Sequence, residues 1–154
     1  MKEKEKKTSH QLVMNRVWSM PNKNTFEIKP IKELLIRYTS ESKLTIDPFA
    51  NKNKFAHITN DLDTQYDTDY HLDALDFLNQ FDDNSVECVL FDPPYSPRQV
   101  SESYKKLGRS VNMQTTQSSY WSKLKKEITR ILKHDGIVVT CTWNSGGIGK
   151  TNGF

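Results

Sequence analysis

The sequence predicts an α/β fold built on a mostly parallel sheet, and three observations carry that expectation. Val86-Glu87-Cys88-Val89-Leu90-Phe91 is a largely apolar run of strand length. Ile137-Val138-Val139-Thr140-Cys141-Thr142-Trp143 is a second, β-branched run, of the kind that suits a strand covered on both faces. Around them lie segments whose apolar residues recur three and four apart, the spacing of a helix face. Strands that alternate with helices pack as a parallel sheet with the helices laid over it.

Residues 1–25 read as a polar tail and irregular lead-in, because Met1 to Lys7 is a mixed-charge run and Pro21 and Asn22 interrupt any period. The domain proper is expected over 26–154. Its first helix starts around Pro30, which suits a first turn, and carries Ile31, Leu34, Leu35 and Tyr38 on one face. Leu44-Thr45-Ile46 is a short strand stopped at Asp47-Pro48, and Ala56-His57-Ile58-Thr59 is a second candidate. The acidic stretch from Asp61 to Asp69 reads as loop. Leu72, Leu75, Phe77 and Leu78 then suggest a short helix, ended by the Asp82-Asp83-Asn84 turn. After the strand Val86–Phe91, residues Ser96 to about Ser118 lack any period and form the longest loop. Trp121, Leu124, Ile128, Ile131 and Leu132 mark another helix, capped by Ser118 or Ser119 and closed by His134-Asp135-Gly136, with Gly136 as its stop.

A chain of 154 residues can bury one core, and no shift in composition marks a second domain. Apolar residues make up 35 % and charged residues 27 %, and no apolar run reaches membrane-spanning length, so no membrane partner is expected. The charged amino terminus lacks the apolar stretch of a secretory signal, which points to the cytoplasm. Both cysteines, Cys88 and Cys141, sit in apolar runs and read as reduced, buried thiols. The four histidines have no metal-ligand spacing, so no metal site is inferred. A net charge of +3 permits nucleic-acid contact without requiring it.

The chemistry concentrates in Asp92-Pro93-Pro94-Tyr95. A buried strand ending there places a carboxylate, two rigid prolines and an aromatic ring at the carboxyl edge of a sheet, where open α/β folds bind ligands. Such a constellation suits methylation of an exocyclic amine. The amino group of adenine is a poor nucleophile because its lone pair is delocalised into the ring. Asp92 and the backbone carbonyl of Pro93 can accept its two hydrogens, while the prolines hold the turn. Tyr95 can stack on a base drawn out of the helix, a contact worth about 1–3 kcal/mol. An ordinary proline turn is the competing reading, but by residue usage the tetrapeptide arises by chance on the order of once in a thousand such chains.

From about Phe26 onward the chain resembles the amino-methyltransferases with a D-P-P-Y signature, in particular small adenine-specific DNA N6-methyltransferases of the kind met in bacteriophages. The resemblance implies a minimal Rossmann-like methyltransferase sheet. It implies S-adenosyl-L-methionine as cofactor and adenine N6 in DNA, ahead of RNA, as acceptor. On the same basis Asp92, Pro93, Pro94 and Tyr95 are the catalytic residues. Asp47-Pro48-Phe49-Ala50 stands where the family opens its cofactor site, and Asp61 matches the acid that holds the ribose, with Asp63 next. Asp73-Ala74 resembles the pair bordering the cofactor adenine, and the helix starting Lys29-Pro30-Ile31 resembles the segment that completes the methionine pocket. In the family, serine at the first motif position goes with cytosine N4 and asparagine with protein glutamine, so Asp92 favours adenine.

Two departures from the family pattern matter. Asn51-Lys52-Asn53-Lys54 replaces the usual glycine-rich turn, although asparagine tolerates the left-handed conformation better than most residues. Only about ten residues separate Asp47 from the next strand, where a parallel crossover normally takes roughly a dozen or more. A helix is therefore expected to be missing, and a non-catalytic module binding nucleic acid or a host protein is the alternative function. The family sheet ends in an antiparallel hairpin that this chain is expected to lack, a C-terminal truncation whose open edge favours a homodimer. Arg98, Lys105, Lys106 and Arg109 in the long loop are the candidate DNA contacts. Lys123, Lys125, Lys126, Arg130 and Lys133 are expected to form a solvated face.

Overall fold

The computed structural model describes residues 13–94, 105, 118–142 and 147–154. Within them the elements follow in the order α1 (Lys29–Glu41), β1 (Thr45–Asp47), β2 (Ile58–Thr59), α2 (Ala74–Leu78), β3 (Val86–Phe91), α3 (Ser118–Ile131) and β4 (Leu132–Thr140). Short 3-10 turns at Thr25–Glu27 and Lys150–Asn152 flank them. The four strands form one sheet in the order β2-β1-β3-β4 with every pairing parallel, which is the small Rossmann-like α/β architecture the sequence predicts. Among the described residues no helix is long and apolar enough to cross a membrane.

Alternation along β3 divides the core. Val89 and Phe91 join the cluster of Phe77, Leu78, Leu124 and Ile128, so α2 and α3 cover one face. Cys88 and Leu90 join Phe26, Leu35 and Val139, so α1 covers the other. Side chains of successive strand residues point to opposite faces, and a strand covered on both is largely apolar. On α1, Ile31, Leu35 and Tyr38 meet the sheet, whereas Leu34, expected on the same stripe, is 42 % exposed.

At the amino-terminal edge α3 passes directly into β4, since Ile131 is the last helical residue and Leu132 the first of the strand. Gly136 is therefore not the helix stop. It lies in the irregular start of β4, where the register jumps from Val86↔Leu132 to Cys88↔Ile137. A Cβ at Gly136 would stand 2.6 Å from Leu132 Cγ and 2.9 Å from the Lys133 carbonyl oxygen, so close packing excludes a side chain there. Arg130 fastens the same edge, donating to Asp83 at 2.6 Å, to Glu127 at 2.7 Å and to the Phe81 carbonyl at 3.0 Å. Lys133 pairs with Glu87 at 2.8 Å, so these two cations serve the fold in place of a free solvated face.

A candidate active site at the carboxyl edge of the sheet

The chain leaves β1 for β2 on one side and returns to β3 on the other, so the direction of winding reverses between β1 and β3. In open parallel sheets ligands settle in the crevice beyond the strand ends at that reversal. Here the two carboxyl ends carry Asp47, the last residue of β1, and Asp92, the first after β3. Ile46 lies opposite Val89, which sets the two turns side by side, and the rings of Phe49 and Phe91 touch with centroids 6.0 Å apart. The fold thus brings together two segments that the sequence offers as separate motifs.

Asp47 is 1 % exposed; its Oδ1 accepts from the Phe49 amide at 3.0 Å, and its Oδ2 is buried without a hydrogen-bond partner. Burial, opposed by the Phe49 bond and reinforced by the charges of Asp92 and Asp61, pushes its pKa up to about 8. Asp92 is half-buried, and burial raises it to about 6, with the Thr25 side chain acting in the lowering direction. The Cys141 thiol, beyond the end of β4, is raised to about 12 by burial and then by the charge of Asp92. Pro93 is buried and Pro94 half-buried, so the turn after β3 is anchored in the protein. Burial also raises Asp61 above the ordinary carboxylate range, partly offset by bonds from the Asp63 and Asn51 amides.

The turn after β1 survives without glycine. Asn51 adopts φ 55°, the left-handed region that asparagine enters more readily than most residues, and its amide donates to Asp61 Oδ2 at 2.9 Å. No helix forms over 48–57, and a buried asparagine supplies the missing support. Asn60, 1 % exposed, donates from Nδ2 to the carbonyls of Pro48 at 3.1 Å and Leu72 at 3.0 Å, and its Oδ1 accepts from the Leu72 amide at 2.9 Å. Its backbone is bonded to Asp47 and Ala50 as well, both at 2.9 Å.

Other expected site residues have architectural duties. Asp73 caps α2, accepting from the Leu75 amide at 3.0 Å, and receives the Tyr120 hydroxyl at 2.7 Å, which ties α2 to α3. Ala74 and Ala50 are buried, Ala74 within the apolar core, and Asp63, 8 % exposed, accepts from the Gln65 amide at 3.0 Å. Lys29 is exposed at the first residue of α1, and Lys105 is exposed too. Tyr95, Arg98, Lys106 and Arg109 lie outside the described residues.

Thr25 and Asn60 belong to this region and escaped the sequence reading, which named Asn53 only as part of the altered turn and Cys141 only as a buried thiol. The one signal for Thr25 was Asn24, a residue type that caps helical turns; its Oδ1 accepts from the Phe26 amide at 3.3 Å. No family model, curated protein or solved structure gives a significant match to the chain.

Proposed function

We propose that the chain transfers a methyl group from S-adenosyl-L-methionine to the exocyclic amino group of adenine in DNA. The observation that carries this reading is the meeting of Asp92 and Asp47 at the reversal point of the sheet. Sheets of this topology also hold dinucleotides, and electrostatics separates the two cases. A pyrophosphate needs a helix amino terminus and free amides in the first turn. Here residues 48–57 hold no helix, the Asn51 amide is committed to Asp61, and Asp47, Asp61 and Asp92 crowd the same edge. With Asp47 held neutral by burial up to about pH 8, the negative charge at this edge that disfavours phosphate and favours a ligand bearing sulfonium and ammonium charges comes chiefly from Asp92 above about pH 6.

The residues present fit that ligand. The unpartnered Oδ2 of Asp47 has acceptor capacity for an ammonium, whose charge would draw off the carboxyl proton, and the half-buried Asp61 can accept from ribose hydroxyls. The cofactor, when bound, supplies the electrophilic methyl group, and orientation of the acceptor falls to the chain. Asp92 and the Pro93 carbonyl accept the hydrogens of the target amine and keep its nitrogen lone pair directed at the donor, while Tyr95 stacks on the base. Asp92 acts as the anion, so the rate rises with pH through about 6 and then levels off.

The test is incubation of the protein with labelled cofactor and DNA or RNA oligonucleotides, followed by identification of the modified base. Asp92→Ala lowers turnover by about 10²-fold or more; a variant that methylates at nearly the native rate removes the mechanism. The absent helix after β1 favours, as a second reading, a module that binds without catalysis. Calorimetry with the cofactor separates the two, because a binding module of that kind gives no heat.

A further inference from the structure

We propose that residues 13–20 form an arm that grips the DNA substrate beside the crevice, with Trp18 stacking on a base and Arg16 neutralising a phosphate. The link to turnover rests on the methyl-transfer reading; the DNA contact is measured apart from it.

The arm is apolar where it faces solvent. Val13, Met14, Val17, Trp18 and Met20 are between 67 % and 83 % exposed, and residues 13–22 lie in neither helix nor strand. Single apolar residues on a surface need no explanation, but a run of them marks a contact surface. The root of the arm is fixed. The Asn22 side chain accepts from the Asn24 amide at 2.9 Å, and Asn24 donates from Nδ2 to Asn53 Oδ1 at 2.8 Å. Phe26, 1 % exposed, is locked into the cluster of Leu35, Cys88 and Leu90 and meets the Phe55 ring edge-on at 6.1 Å. Asn53 belongs to the turn after β1, its amide bonded to the Ala50 carbonyl at 2.8 Å, so the arm springs from the carboxyl edge of the sheet beside Asp47. Six residues separate Trp18 from Asn24 in position. At about 3.3–3.6 Å per residue the indole backbone stands no more than roughly 20 Å from that root.

Charge selects the partner. From 13 to 24 the arm carries Arg16 and Lys23, both exposed, and no acid. The edge it springs from carries Asp61 and Asp92, which offer a phosphate nothing, so cations that hold a polyanion there must come from beside the crevice. An indole two residues from a guanidinium suits DNA in particular. Aromatic rings stack on any base, and apolar side chains wedge into a duplex and part its base steps. A wedge in the gap left by an extruded adenine offsets part of the cost of turning it out.

The test is fluorescence anisotropy of a labelled, adenine-containing DNA duplex and of its single strand, titrated with the full chain and its variants. Trp18→Ala weakens binding about tenfold, and Trp18→Phe, which keeps a ring, recovers most of it. Arg16→Gln lowers the slope of log affinity against log salt by about one, the signature of one lost phosphate contact. Both side chains are exposed, so the urea midpoint of each variant stays native and lost contact is separated from lost fold. Native affinity in Trp18→Ala, or no DNA binding by the native chain, overturns the proposal. So does self-association without DNA that Trp18→Ala abolishes, which gives the arm to a second copy. If Trp18→Ala weakens DNA binding but the native protein transfers no methyl group, the arm stands and the functional reading falls. If the native protein methylates DNA and Trp18→Ala binds it equally well, the arm falls and the functional reading stands.

Discussion

Replacing Asn60 with alanine tests whether a single buried amide substitutes for the missing helix beneath Asp47. The substitution deletes three side-chain hydrogen bonds, to the Pro48 carbonyl and to both backbone groups of Leu72, in a residue 1 % exposed. Each such bond contributes roughly 0.5–1.5 kcal/mol net, and the Leu72 amide left without an acceptor adds a desolvation penalty of about 1–3 kcal/mol. A water entering the space vacated by the amide recovers part of this, which leaves an expected loss of about 3 kcal/mol. Against a total stability of roughly 5–15 kcal/mol for a domain, that is large. Urea denaturation monitored by circular dichroism measures it directly, with a lower midpoint and an unchanged slope. The two backbone bonds of Asn60, to Asp47 and Ala50, are not touched by the change, so β1 and β2 remain paired at the start of the titration. A loss under about 1 kcal/mol would mean that the turn is held by something else and would refute the argument.

Two further perturbations follow from the same packing. Gly136→Ala forces a methyl group against Leu132 and the Lys133 carbonyl and destabilises by about 1–3 kcal/mol, read as a lower urea midpoint; an unchanged midpoint would show that the start of β4 yields easily. The pKa of Asp47 is raised on folding from 3.8 to about 8, so its neutral form favours the native state and the benefit is lost as pH climbs between those values. Asp47→Asn therefore gains stability relative to the native chain from about pH 4 to pH 8 and no more above it; a thermal-melt difference constant over that range contradicts the assignment.

What the sequence revealed depended on whether a residue's role was local. Strand β3 was legible to both ends, since an apolar run buried on two faces stopped at Asp92-Pro93 has few other readings. The second strand was expected over Ala56–Thr59, yet only Ile58–Thr59 pairs regularly. His57 explains the difference: its ring Nδ1 takes the Thr45 amide at 3.0 Å, where a ladder would use a carbonyl. The end of α3 was misplaced because Gly136 serves a close approach within β4, and glycine is the same letter for either task. At the candidate site, only the family resemblance put Asp47 and Asp92 in one cleft, and their residues alone did not. Thr25 and Asn60 went unnoticed, because asparagines and threonines are common surface residues and only the folded chain reveals the contacts that give them a role. Asp73 could have been read as a cap, standing as it does directly before Ala74-Leu75-Asp76-Phe77-Leu78.

The direct passage of α3 into β4 governs where the protein can breathe. Besides having no intervening residue, the junction is bolted by the amides of Asn84 and Ser85 to the carbonyls of Arg130 and Ile131, at 3.0 and 2.8 Å. Rearrangement needs a few backbone torsions free to absorb it, and the Asn84 and Ser85 bonds to Arg130 and Ile131 hold those at this junction. The junction therefore acts as a fixed spine at the lower border of the sheet, opposite the edge where Asp47 and Asp92 stand.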